Sequence, residues 1–286
     1  MPSPEVLKRA FAMRRRKRSA RSSRPPLIRE LLLIIVLYTG YKFGRKLANG
    51  QFTEAYENAD RIWDLERAVR LPSEAWVQEL VLHSESLIRS INVYYATVHF
   101  PAMALFVVYM YWRRPDHYLW FRRVLTWLTA GGLALHLLVP LAPPRLFRTE
   151  DMIDTSAVYG PGVYEEPDPD SMSNQFAAMP SLHVGWAVLI ALVLIVVTRG
   201  RWRWLWLIHP AITVLAVVST GHHYWMDGIV ACAILAIVLA VLRPPAVSRP
   251  PVTILEPPRT PTAVASTTLL RSPATGSNLV CRFLLR

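Results

Sequence analysis

At 286 residues, 52% hydrophobic and with a mean hydropathy of +0.25, the chain is too apolar for an ordinary soluble protein and reads as a polytopic membrane protein. Its two cysteines, Cys232 in an apolar run and Cys281 near the end, make neither a disulfide framework nor a Cys-based zinc site. The net charge of +12 raises nucleic acid as a partner, but the basic residues are arranged as a membrane protein arranges them, and no nucleic-acid partner is expected.

Residues 1–30 carry ten Lys and Arg, including Arg14-Arg15-Arg16-Lys17-Arg18. Residues 1–26 read as a basic cytoplasmic arm that touches anionic lipid headgroups, or that serves only as a topology signal. No small-residue cleavage site follows the first apolar run, so no cleavable signal peptide is expected. The fold class expected is all-α, a six-transmembrane-helix bundle over residues 27–243, with spans at 27–43, 91–112, 124–141, 182–197, 204–219 and 225–242. Residues 47–90 are helical in character but polar, and predict one or two interfacial amphipathic helices broken near Leu71-Pro72-Ser73, with Ser73 as an N-cap. A long loop from Ala142 to Ser181 carries Glu150, Asp151, Asp154, Glu165, Glu166, Asp168 and Asp170. Residues 244–286 are rich in Pro, Ser and Thr and read as a disordered cytoplasmic tail.

Orientation follows from the basic residues. With the N-terminus inside and six alternating spans, 23 of the 32 Lys and Arg fall on inner segments. Both termini are then cytoplasmic. Arg145, His183, His223 and Asp227, far apart in sequence, all come to the outer face. The localisation expected is the plasma membrane, with an extracytoplasmic active site.

Met179-Pro180-Ser181-Leu182-His183 stands at the mouth of the fourth span, and His222-His223-Tyr224-Trp225-Met226-Asp227 at the mouth of the sixth. On a helix, His223 and Asp227 at i,i+4 would share a face, letting the carboxylate fix one ring nitrogen and leave the other as a nucleophile or base. His183 supplies a second imidazole, so one histidine can attack while the other protonates the leaving group. Ser181 and the N–H groups after Pro180 lie at a helix N-terminus, which attracts phosphate, and Pro180 suits a first turn. Arg145 can grip phosphate oxygens, delivered by a backbone that Pro143 and Pro144 stiffen. The set fits phosphoryl transfer through a phosphohistidine to water or an alcohol. His222 either faces water or contacts substrate. His99 and His136 read as polar groups packed between helices, and Asn92 and Tyr95 either line the lipid path or bond across helices.

These motifs resemble those of the type-2 phosphatidic acid phosphatase superfamily. Pro180-Ser181-Leu182-His183 resembles its second motif, Ser219 through Asp227 its third, and Ala142-Pro143-Pro144-Arg145 stands in for its first. The resemblance implies His223 as nucleophile, Asp227 as its orienter, His183 as acid/base, and Arg145 and Ser181 as phosphate ligands beside Pro144 and His222. It implies no cofactor and no metal. Leu182 replaces the usual Gly, and the usual Lys of motif one and Arg of motif three are absent, near Leu138 and Val217. This variant is most similar to the inositolphosphotransferase branch, which includes inositol phosphorylceramide synthase. A pocket with one arginine suits a singly charged phosphodiester better than a monoester, which favours transfer of a phospho-headgroup between lipids over hydrolysis of phosphatidic acid or a polyprenyl pyrophosphate.

Three other readings stay open. His183, His222, His223 and Asp227 could hold a divalent metal, although no HExxH-like pair lies within one helix. A transporter with a histidine proton relay predicts polar residues at mid-span, and the centres of the last three spans hold almost none. A catalytically inert lipid-binding protein would not need His183, His223 and Asp227 together. Headgroup, lipid and oligomeric state are not legible.

Overall fold

The computed structural model describes residues 24–47, 52–146, 152–161 and 176–245. The first 23 residues of the basic arm, the acidic stretch at 162–175 and the tail beyond 245 lie outside them. The chain divides into Met1–Ala246 and Val247–Arg286, and every described residue belongs to the first unit.

The described residues are helical, with one isolated bridge between Leu141 and Ala177. In chain order the helices are α1 (Leu27–Leu47), α2 (Phe52–Ala68), α3 (Glu74–Leu82), α4 (Glu85–Arg113), α5 (Pro115–Leu138), the short α6 (Thr155–Tyr159), α7 (Leu182–Val197), α8 (Arg201–Ser219) and α9 (Trp225–Val241). Two of these, α4 and α8, are long and apolar enough to cross a membrane, and α7 and α9 are shorter apolar helices.

Local chemistry sets the boundaries. Ser73 caps α3 by accepting from the Trp76 N–H at 3.4 Å, and the chain breaks at Leu71-Pro72 as expected. A second serine, Ser84, accepts from the Leu87 N–H at 3.3 Å and starts α4 six residues before the predicted span. Helix α5 also starts early, because Pro115 occupies a first-turn position where a missing N–H costs no helix bond. It ends at Leu138 and not at the predicted 141, since Pro140 follows and the Leu141 N–H donates instead to the Phe176 carbonyl. Between α7 and α8, Gly200 takes a positive φ of 102° in the basic turn.

The core lies between α4, α5, α7 and α9, where Met110, Phe121, Val124, Leu128, Leu189 and Leu235 pack out of contact with solvent. Helix α1 joins through polar contacts. The buried Glu30 accepts from the Tyr118 hydroxyl at 2.7 Å and pairs with Arg122. The outward faces are apolar: Ile35, Leu105, Trp127, Leu215 and Ile237 are all exposed.

Helices α2 and α3 close one end of the bundle. Asn58 donates to the Pro140 carbonyl at 2.9 Å, and the Ala142 N–H donates to the Ala55 carbonyl at 3.1 Å. From α3, Gln78 donates to the carbonyls of Ser219 and Ile153 and accepts from the Ile153 N–H. At this end, the N-termini of α7 and α9 meet the turn that carries Arg145.

Candidate active site

The third-motif residues are arranged by a helix cap. Helix α9 begins at Trp225, with Tyr224 as N-cap, so His223 precedes the helix and does not share its face with Asp227 as i,i+4 spacing suggested. Asp227, at the third helical position, reaches back instead. Its Oδ2 accepts from the Tyr224 N–H at 3.0 Å and from His223 Nδ1–H at 3.1 Å. A capping interaction therefore also fixes the imidazole, directing Nδ1 to the carboxylate and leaving Nε2 on the far side of the ring. Asp227 is fully buried and His223 nearly so.

Second-motif residues are tied to the third by backbone. The Ser181 N–H donates to the Asp227 carbonyl at 3.0 Å. Ser181 is the N-cap of α7, accepting from the Val184 N–H at 3.4 Å, which leaves its hydroxyl hydrogen to donate to a ligand. Pro180 sits before the cap and not in the first turn, and His136 donates to its carbonyl at 3.0 Å. His136 thus ties α5 to the segment that leads into α7. Leu182, in place of the family glycine, packs over Gly132 of α5, where a Cβ would meet Leu182 Cδ2 at 2.6 Å.

His183 lies one residue into α7, with its ring centroid 6.1 Å from that of His223. Arg145 sits on the 3-10 turn Pro144–Leu146, in which Pro144 is buried too. The Arg145 N–H donates to the Gly221 carbonyl at 2.9 Å, and Gly221 has φ +68° with room for no side chain: a Cβ would lie 3.0 Å from Arg145 Cβ. Arg145 Nε pairs with Asp154 Oδ2 at 3.2 Å, so part of its charge is already balanced. His222 is buried, and its Nδ1 lies 2.8 Å from Thr220 Oγ1. Since the Thr220 hydroxyl donates to the Ala216 carbonyl, His222 Nδ1 is the donor to it and Nε2 is the acceptor nitrogen. Burial, helped by the Arg145 charge, holds the His222 imidazole well below its usual pKa and keeps it neutral. His183, His222, His223, Asp227, Ser181 and Arg145 thus gather at one end of the bundle.

Sequence reasoning undervalued three residues here. Helix α4 carries a π-helical turn at Tyr94–Val98, a feature common at functional sites, which alters the register of its face. The Tyr95 ring packs, tilted, against both His183 (4.7 Å between centroids) and His222 (4.3 Å). His99 is packed between helices as expected, and its ring, 4.6 Å from that of His183, also lines the site. No sequence signal announces a π turn. Asp154 stands in the sequence as one acid of an acidic loop. The Asp-Thr-Ser at 154–156 was the available sign, since Asp154 caps α6 by accepting from the Ser156 and Ala157 N–H groups. Asn92 bonds across elements, donating to Thr155 O at 2.8 Å and accepting from the Thr155 hydroxyl.

The profile of the PAP2 superfamily matches residues 60–241, well over half of the chain. The chain belongs to the PAP2 superfamily. Members of this superfamily are phosphatases and phosphotransferases that act on lipid phosphates, and its match runs from α2 through α9, spanning all the residues just described. Neither a curated protein nor a solved structure matches the chain. Within the PAP2 frame, the match supports membrane-associated phosphate chemistry.

Proposed function

We propose that this chain is an integral-membrane lipid phosphotransferase that moves a phospho-headgroup from one lipid to another through a phosphohistidine on His223. In the first step His223 Nε2 attacks phosphorus. A P–N bond forms, the P–O bond to the leaving lipid alcohol breaks, and His183 gives that oxygen a proton. In the second, His183 takes the proton of the acceptor hydroxyl, whose oxygen attacks phosphorus and breaks the P–N bond. Asp227 holds the His223 ring throughout, and Ser181 and Arg145 bind the phosphate oxygens.

The observation that carries transfer over hydrolysis is the Arg145–Asp154 pair. Arg145 is the one Arg or Lys among the described residues assigned to this site, and Asp154 offsets part of its charge at 3.2 Å. His222 is neutral. A phosphomonoester brings nearly two negative charges and a phosphodiester brings one, so this cradle matches the diester. The inositolphosphotransferase branch is the one whose motifs this chain resembles.

The proposal includes six spans, with α1, α4, α5, α7, α8 and α9 crossing the bilayer, the active site on the extracytoplasmic face and the termini in the cytoplasm. The apolar outward faces and the distribution of Lys and Arg support it. Purified protein in mixed vesicles, given a phosphodiester phospholipid with and without a lipid alcohol, tests the chemistry. Headgroup transfer that requires the acceptor is expected. Rapid release of free phosphate from phosphatidic acid without any acceptor lipid would overturn it in favour of a phosphatase.

A further inference from the structure

Behind the His223–Asp227 pair lies a second buried acidic group. Glu66 ends the last turn of α2 and Glu74 begins α3, and both side chains are fully removed from solvent. Glu66 Oε1 accepts from the Met226 N–H at 2.7 Å, in the first turn of α9 and one residue before Asp227. Glu74 Oε2 accepts from Arg67 Nη2 at 2.9 Å, and the same nitrogen is 3.6 Å from Glu66 Oε2. Each carboxyl then keeps one buried oxygen, Glu66 Oε2 and Glu74 Oε1, to which no other group donates, and the two carboxyls flank the same Arg67 nitrogen.

We propose that Glu66 and Glu74 share one proton, and that this proton fixes the first turn of α9, making Glu66 a positioning residue for Asp227 and, through it, for His223. The role in turnover rests on the function proposed above; the shared proton does not.

Two carboxylate oxygens cannot hydrogen-bond each other unless one carries hydrogen, and two buried anions side by side are strongly disfavoured. The charged groups facing Glu66 are Arg67 from α2, Glu74 from α3 and Asp227 from α9. Arg67 is itself held over the Trp63 ring at 4.1 Å and supplies one positive charge. With one proton, Glu66, Glu74 and Arg67 are neutral together. Without it they carry a net negative charge beside Asp227. Burial first, then the facing Glu74 carboxyl, push Glu66 up to about 9. A carboxyl raised this way contributes stability in full below the ordinary carboxyl value of 4.5, and that contribution is lost as pH rises from there through about 9.

The substitution E66Q separates proton from shape. Its amide oxygen accepts from the Met226 N–H, and its NH₂ donates to Glu74 at every pH. Infrared spectra of the full chain in nanodiscs are expected to show a protonated-carboxyl C=O band at neutral pH that is lost above about pH 9 and is missing in E66Q. Thermal unfolding midpoints should fall between about pH 4.5 and about pH 9 in the unsubstituted protein and stay flatter in E66Q. Turnover should show an alkaline limb near pH 9 that E66Q moves upward, and E66A should turn over roughly tenfold more slowly than E66Q at neutral pH. A band of equal size in both proteins, or identical alkaline behaviour in both, would overturn the shared proton. The band and the unfolding need no substrate, so a protein inactive on every lipid phosphate would remove the enzymatic reading while these two readouts still decide the proton.

Discussion

Asp227 Oδ2 accepts two hydrogen bonds at once, from the His223 ring and from the Tyr224 N–H, so an amide oxygen in its place keeps both and only the charge is removed. In D227N the amide oxygen can accept from both the Tyr224 N–H and His223 Nδ1–H, so cap and tautomer persist while the anion facing the imidazole is lost. Turnover should fall by roughly 10–100-fold, because a hydrogen bond to a charged acceptor becomes one to a neutral amide as positive charge develops on the ring. Circular dichroism and detergent-phase unfolding of D227N should stay close to those of the unsubstituted protein. His222 gives a pH dependence of opposite sign to the carboxyl pair. Its imidazole is neutral in the fold because burial and Arg145 oppose the charged form, whereas the unfolded chain protonates near the usual 6.5. Stability from His222 is therefore present above about pH 6.5 and is lost as pH falls below it. Unfolding midpoints measured between pH 7 and pH 5 should drop, and H222N should flatten that slope.

At the scale of elements, the turn at Gly221 holds the first and third motifs together. G221A forces a side chain into a left-handed φ of 68° and against Arg145, whose N–H is bonded to the Gly221 carbonyl. A loss of about 1–3 kcal/mol in unfolding free energy is expected, with weaker binding of phosphate-bearing lipid because Arg145 shifts. Glycine at this place was not singled out from the sequence, since its need arises from a contact with a turn some 75 residues away. Other features were legible for local reasons. The breaks at Leu71-Pro72-Ser73 and at Arg113-Arg114-Pro115 are written in proline and capping chemistry, and the apolar runs of α7 and α9 begin within a residue of where hydropathy placed them. The pairing of His223 with Asp227 was legible as proximity but not as geometry, because four-residue spacing is shared by a helix face and a helix cap. The contribution of α4 was hidden most, since a π turn changes which residues face the site without changing hydropathy.

For the whole molecule, the arrangement proposed here puts α3 outside and the turn at Gly200 inside. In a background without native cysteines, E79C and R201C should react with an impermeant maleimide from opposite sides of sealed vesicles. Labelling of both from one side would reverse or break the six-span arrangement. Both positions are exposed, so reactivity reports sidedness and not burial. Gln78, buried on the inner face of α3, carries a different consequence. Lifting α2 and α3 off the bundle would strip its side chain of bonds to Ser219 and Ile153, free the Met226 N–H from Glu66, and detach Trp225 Nε1–H from the Pro72 carbonyl. Each buried partner left unsatisfied costs about 1–3 kcal/mol. The hairpin is thus a wall and not a lid. Under the proposed function, a two-chain lipid would then reach the phosphate cradle by sliding sideways between helices, within the plane of the bilayer. Donor and acceptor would use the same lateral route in succession, and how tightly the helices beside that route pack would set how often one lipid alcohol is exchanged for the next.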